Sequence, residues 1–128
     1  MLSTYGPRFG LDRETALHAA GAFGAGMART GETCGAVTGS LMVIGLKHAK
    51  VRPGDDDSRE LSYALAQEFM DGFRSRNGSL VCRELLGVDV NTPEGMARVR
   101  EQDLFAKVCP RFVREAAGIL EEIMGGSP

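Results

Sequence analysis

The chain has 128 residues, an apolar content of 43% and a formal net charge of −2. This length predicts a single domain with a hydrophobic core of its own. The near balance of 15 basic and 17 acidic residues excludes the basic surface typical of nucleic-acid binding, so we expect no nucleic-acid partner. The longest nearly apolar stretch, residues 41–46, is too short to span a bilayer, and we expect no membrane insertion.

Helix signals dominate the first half of the chain. An acidic cap at Asp12, followed by an apolar stripe that includes Leu17, predicts a first helix. A glycine-rich segment follows, up to Gly31. The apolar stretch from Thr33 to Lys47 then predicts a buried helix, because it is long and ends in basic residues.

The second half of the chain predicts further helices. Aspartates after the Pro53-Gly54 turn are typical helix caps, and Leu61, Leu65, Phe69 and Phe73 recur at helical spacing up to the Asn77-Gly78 stop. Shorter helical segments are predicted from Cys82 and after Thr92-Pro93, and the last helix from Pro110 to about Met124. Residues 1–128 are therefore predicted to form one all-α domain of about five helices joined by short loops.

The three cysteines, Cys34, Cys82 and Cys109, each lie where a helix is predicted to begin. A helix start offers unpaired N–H groups and a positive dipole end, which lower the pKa of a thiol and favour the thiolate. We therefore expect the three thiols to converge on one site. The alternative is that all three are ordinary buried thiols, which is common for cysteine. The absence of a C-x-x-C pair excludes the thioredoxin and zinc-ribbon signatures.

The glycines around Cys34 predict a loop whose backbone approaches this cysteine closely and leaves its N–H groups free. Gly31 and Gly35 flank Cys34, whereas Glu32 occupies the position where a phosphate-binding loop requires lysine, which argues against nucleotide binding. An odd number of cysteines argues against a disulfide framework, and no secretory signal is visible. We expect a reducing, cytoplasmic setting.

These segments together resemble a known family. The sequence Cys34-Gly35-Ala36-Val37-Thr38-Gly39 and the apolar run after it resemble the hallmark of the C_GCAxxG_C_C family. The segments that start at Cys82 and Cys109 resemble the next two cysteine segments of that family, in the same order. The resemblance covers nearly the whole chain and implies a prokaryotic, redox-active protein with four characteristic cysteines. A related domain occurs in split-Soret cytochromes, where such cysteines are linked with an iron–sulfur cluster.

The chain departs from this family pattern at its beginning. The first cysteine of the family lies on an N-terminal helix, upstream of a segment that resembles residues 5–12. Met1-Leu2-Ser3 begins just after the place where that cysteine would fall. We expect either a translation start further upstream or a three-cysteine variant that lacks this helix.

The leading hypothesis is a small redox protein that acts in electron transfer through Cys34, Cys82 and Cys109, with a redox partner that the sequence does not identify. The thiolates either ligate an iron–sulfur cluster, with the backbone N–H groups of Gly31 and Gly35 bonding the sulfurs, or cycle between dithiol and disulfide. Zinc is a further alternative that needs a fourth ligand. The rival hypothesis is a non-catalytic helical homodimer or partner-binding module with packed cysteines, and the pattern does not decide whether the chain is an enzyme.

Overall fold

The computed structural model describes residues 1–49 and 52–125 of the chain. These residues form an all-α domain, as predicted, with a single isolated β-bridge between Thr33 and Val81. The elements in chain order are α1 (Leu2–Tyr5), a 3₁₀ turn (Gly6–Phe9), α2 (Arg13–Ala19), α3 (Gly35–His48), α4 (Asp56–Asn77), α5 (Cys82–Leu86), α6 (Pro93–Gln102), α7 (Leu104–Lys107) and α8 (Cys109–Ile123).

The predicted number of about five helices is too low for the described residues, which contain eight α-helical segments. The segments that were not predicted are α1 and α7, which have four residues each, whereas the short segment predicted from Cys82 is α5. Segments this short contain too few apolar residues to display a helical period, and α1 and α7 have no cap signal in the sequence.

Side-chain caps set the beginnings of several helices where the sequence predicts them. Asp12 accepts a hydrogen bond from the backbone N–H of Thr15 at 3.0 Å, and Asp55 accepts one from Ser58 at 3.2 Å. At the other end of α4, Gly78 adopts a left-handed conformation with φ of 90° and closes the helix, a role that glycine fulfils without strain.

The start of α8 differs from its prediction by one residue. Cys109 was expected to precede the helix as its N-cap, with Pro110 in the first helical position. Instead Val108 is the cap, Cys109 is the first residue of α8 and Pro110 is the second. Proline fits there because the second N–H of a helix also has no partner within the helix.

The core lies where α3, α4 and α8 pack against one another. Phe69 and Phe73 of α4 stack at 6.2 Å between ring centroids, and Phe112 of α8 packs against Phe73 at 6.3 Å. Leu61 was predicted to lie on the same apolar stripe but is 48% exposed. The buried face of α4 runs through its neighbour Ser62 instead, about 100° around the helix from Leu61.

The N-terminal segment closes over one side of this core. The hydroxyl of Tyr5 donates to Glu121 of α8 at 2.7 Å, and the Arg8 guanidinium lies 4.9 Å from the centre of the Tyr5 ring. Leu17 of α2 was predicted to lie on the apolar stripe that packs against the core, but it is 50% exposed. Ala16 is the buried residue of this two-turn helix. None of the described helices is both long enough and apolar enough to cross a membrane.

Candidate functional site

A short backbone pairing brings the first two cysteines into register. The N–H of Cys34 donates to the carbonyl of Leu80 at 2.8 Å, and the N–H of Cys82 donates to the carbonyl of Glu32 at 2.6 Å, on either side of the bridge from Thr33 to Val81. Successive residues of an extended strand point to opposite faces. Cys34 and Cys82, each one residue beyond the bridge, are therefore on the same face of this pairing.

All three cysteines line one cavity of about 360 Å³. Cys34 caps α3, Cys82 begins α5, and Cys109 begins α8. All three are free thiols, with Cys82 buried and the other two half-buried. The remaining lining residues are small or apolar: Ala25, Gly35, Ala36, Phe105 and Val113. The helix starts and the pairing before α3 and α5 thus bring together cysteines that are 48 and 27 positions apart in the sequence.

The two glycines predicted beside the site occupy different positions. Gly35 lines the cavity as the first residue of α3. Gly31 has a φ of 73° and is not among the lining residues; its carbonyl accepts hydrogen bonds from the backbone N–H and the guanidinium of Arg83, both at 3.2 Å. Gly31 therefore connects the glycine-rich loop to α5 through these hydrogen bonds, and it is not one of the residues that line the thiol cavity.

The glycine-rich loop approaches Cys82 closely, a contact that the sequence did not predict. A Cβ atom built on Gly26, whose φ is 70°, would lie 2.6 Å from the Cβ of Cys82. All five residues from 25 to 29 have positive φ, and four of them are not glycine. Left-handed backbone costs roughly 1–2 kcal/mol for each such residue, so this turn is strained. The hydrogen bond from the N–H of Glu32 to the carbonyl of Gly26, at 2.8 Å, helps to hold it.

Burial controls the protonation of the thiols, and its effect is opposite to the expected lowering of the pKa. It raises the pKa of Cys34, although the N–H groups of Ala36 and Val37 act against it. Burial, with the charges of Cys34 and Cys109 as lesser causes, raises the pKa of Cys82 to about 11, while Arg83 opposes the rise. The pKa of Cys109 is raised by burial and by the charge of Cys34. At neutral pH the three thiols are therefore protonated.

The described residues contain no group of three or more His, Cys, Asp or Glu side chains arranged to hold a metal ion. All three thiols line the cavity, but they do not form such a group.

The apolar residues of this site were not predicted. Phe105, Cys109 and Val113 follow one another at intervals of four residues, which is the spacing of one helical face and was the available signal.

The fold and the cavity define an all-helical protein whose candidate site is built from three cysteines of distant sequence segments. Residues 1–123 match a family model with the description "Putative redox-active protein (C_GCAxxG_C_C)". The chain belongs to this family, in agreement with the resemblance of its cysteine segments. No curated protein and no solved structure matches the chain significantly.

The contact between Gly26 and Cys82 predicts a sensitive position. In Gly26→Ala the new methyl group would also meet the backbone N of Glu32 at 2.6 Å, so the turn must move away from Cys82. We expect the free energy of unfolding to fall by more than about 1 kcal/mol, and alkylation of Cys82 to become faster. Chemical denaturation and mass spectrometry of the alkylated peptide measure these effects.

Gly45→Ala is the matched control, because a Cβ at Gly45 of α3 meets nothing within 4 Å. This variant should be as stable as the parent, or more stable by up to about 1 kcal/mol, since alanine favours helices. Equal stability and equal Cys82 labelling in both alanine variants would contradict the close packing of the turn on Cys82.

The raised thiol pKa values predict a distinct pH dependence of labelling. Only the thiolate reacts, so iodoacetamide should modify the folded, reduced protein more slowly at neutral pH than it modifies a cysteine peptide. Because the pKa of Cys82 is raised to about 11, its rate should continue to increase with pH beyond the range of an exposed thiol. In denaturant the same cysteine should titrate near about 8.5. If the alkylation rate of the folded protein inflected at a lower pH than that of the denatured protein, the helix starts would have a larger effect on the thiol pKa than burial has.

Proposed function

We propose that the protein is a thiol–disulfide redox protein and that the cysteines of the cavity are its reactive groups. The observation that carries this proposal is that Cys34, Cys82 and Cys109, all free, line a single cavity. Its family is described as redox-active, which agrees with this chemistry. Thiol exchange requires two cysteines within reach of one another but no metal-ligand geometry. Reduced, free thiols of this kind belong in a reducing compartment such as the cytoplasm.

Cys34 is the best candidate for the attacking thiol. The N–H groups of Ala36 and Val37, at the start of the 14-residue helix α3, favour its thiolate. Its charge affects the pKa of both Cys82 and Cys109, so it lies within electrostatic reach of both. A thiol that neighbours two others can form a mixed disulfide with the substrate, which either neighbour can then resolve.

Cys82 or Cys109 would act as the resolving thiol. The Cys34 thiolate attacks one sulfur of a disulfide RSSR, the S–S bond of RSSR breaks, one RS group leaves as a thiolate, and a mixed disulfide remains on Cys34. The resolving thiol then attacks the sulfur of Cys34 and releases the second RS group. In total, two protein thiols and RSSR give one protein disulfide and two RSH, so both protons leave with the products and two electrons pass to the substrate.

The backbone pairing supports Cys82 as a partner of Cys34. The two cysteines are diagonal neighbours across the Thr33–Val81 bridge, and such neighbours are roughly 7–8 Å apart. This separation is close to the limit of about 7 Å between the Cα atoms that a disulfide joins.

This proposal predicts an internal disulfide that contains Cys34. Mild oxidation of the reduced monomer should lower the number of alkylatable thiols from three to one, and peptide mapping should show Cys34 joined to Cys82 or Cys109. Cys34→Ser should not form this disulfide, and any disulfide between Cys82 and Cys109 should form at least about tenfold more slowly, because the thiolate that the N–H groups of Ala36 and Val37 favour is gone.

Cys82→Ser and Cys109→Ser serve as mutual controls for this experiment. The variant that retains the native resolving thiol should still form the disulfide, whereas the other should accumulate a mixed disulfide on Cys34. Three alkylatable thiols after oxidation of the folded monomer would contradict thiol exchange and favour a module with packed cysteines.

An iron–sulfur protein is the second candidate function, because three sulfurs line a cavity of about 360 Å³ whose other lining residues carry no charge in the described part of the chain. Cysteine thiolates are the ordinary ligands of such clusters, and a polynuclear cluster needs ligands distributed around it, not gathered at one point. Cys34, Cys82 and Cys109 would hold the cluster, and because the sequence contains three cysteines, its fourth ligand would be a group other than a cysteine of this chain. A bound cluster would supply one-electron transfer.

Anaerobic reconstitution distinguishes this candidate from thiol exchange. If the second candidate is correct, protein treated with ferrous iron and sulfide without oxygen should retain both after desalting and show thiolate-to-iron absorption that dithionite bleaches. Cys82→Ser should lose most of the bound iron. Retention of zinc in its place, with a colourless protein, would indicate a structural metal site. A colourless, metal-free protein that forms the internal disulfide would support thiol exchange alone.

A further inference from the structure

Two of the apolar side chains that line the cysteine cavity are also exposed to solvent. Phe105 of α7 and Val113 of α8 lie on either side of Cys109 in the sequence, and they are 38% and 43% exposed. Because each belongs to both the lining and the exposed surface, they are the candidates for the entrance of the cavity. Large apolar side chains exposed at a pocket are typical of ligand-binding sites.

No charged side chain of the described residues lines the cavity to compensate the charge of a ligand. Among the described residues, its lining combines three sulfurs with alanine, glycine, valine and phenylalanine, and includes no charged side chain. Arg83, next to Cys82 in the sequence, donates to the carbonyl of Gly31 and to Glu32 and is not a lining residue. An anion that enters would lose its hydration without gaining a cation, and such transfer is strongly unfavourable.

We propose that this cavity accepts uncharged, apolar disulfides and discriminates against anionic ones, with Phe105 and Val113 as its entrance. This inference rests on the proposed thiol exchange and names its substrate class. Protonated thiols, which follow from the raised pKa values, keep the reduced cavity uncharged and agree with it. In the first step a protein thiolate displaces one half of the disulfide: the substrate S–S bond breaks, a protein–substrate S–S bond forms, and the thiol proton leaves with the released RSH.

Two aryl disulfides of similar size but different charge test the selectivity. The reduced protein reacts with uncharged dithiodipyridine or with dianionic dithiobis(nitrobenzoate), and the released thiol is followed by absorbance. Mercaptoethanol, a small uncharged thiol, gives the intrinsic ratio of the two rates. We expect the protein to favour the uncharged reagent by at least about tenfold more than mercaptoethanol does, because the anion is desolvated in the cavity. A ratio equal to that of mercaptoethanol, or no reaction with either reagent, would overturn the proposal.

A charge introduced at the entrance provides a second test of the selectivity between the two reagents. Val113→Lys should raise the rate with the anionic reagent and lower the selectivity by at least about threefold, since a cation at the mouth attracts the anion. Leu17→Lys is the matched control, because Leu17 is 50% exposed and does not line the cavity. It should leave the selectivity unchanged, whereas an equal loss in both variants would assign the effect to net charge and overturn the role of the entrance. Phe105→Lys replaces Val113→Lys if that variant does not fold.

Peptide mapping after reaction separates this proposal from the proposed function. Selective reaction that ends in an internal disulfide supports both. Selective reaction that stops at a mixed disulfide supports the entrance and contradicts the exchange between protein thiols. An internal disulfide formed without selectivity between the reagents supports the exchange and overturns the proposed substrate class.

Discussion

The backbone pairing between residues 32–34 and 80–82 is the constraint on which the site depends. Two hydrogen bonds, from the N–H groups of Cys34 and Cys82, join the segments that precede α3 and α5. They satisfy backbone groups that the half-buried ends of these helices would otherwise leave without partners. The same pairing sets which side of each segment carries its cysteine. The common cavity of two thiols separated by 48 positions is thus a direct consequence of backbone hydrogen bonding.

The strained turn at residues 25–29 is a second consequence of this arrangement. The chain must return from α2 to the start of α3 while it covers Cys82, and it does so through a left-handed turn in which Gly26 packs against that cysteine. Hydrogen bonds from Thr30 and Glu32 to the carbonyl of Gly26, at 2.7 and 2.8 Å, offset part of the strain. Strained backbone is often found beside functional groups, where the surrounding structure holds it in place.

Burial and the N–H groups at the helix starts have opposite effects on the protonation of the thiols. The N–H groups at the start of α3 stabilise a thiolate at Cys34, but the apolar cavity penalises charge more strongly. The resting state is a set of neutral thiols in an uncharged cavity. In the proposed thiol exchange, these groups would hold their protons until a substrate sulfur arrives and would then release them together with two electrons. The same apolar surroundings that restrain the thiolates give the proposed preference for uncharged disulfides its physical basis.

The sequence by itself determined the all-α class, the capped beginnings of α2, α4 and α6, and the family, because caps, apolar period and cysteine segments are local patterns. It located the cysteines at helix starts but predicted that their pKa values are lowered, whereas they are raised. The reason is that burial of a thiol depends on which residues from the rest of the chain pack against it. Only the tertiary structure decided that Gly26 covers Cys82, that Gly31 faces Arg83, and that Phe105 and Val113 flank the thiols. The contacts of Gly26 with Cys82 and of Gly31 with Arg83 join residues far apart in sequence, so no local pattern encodes them.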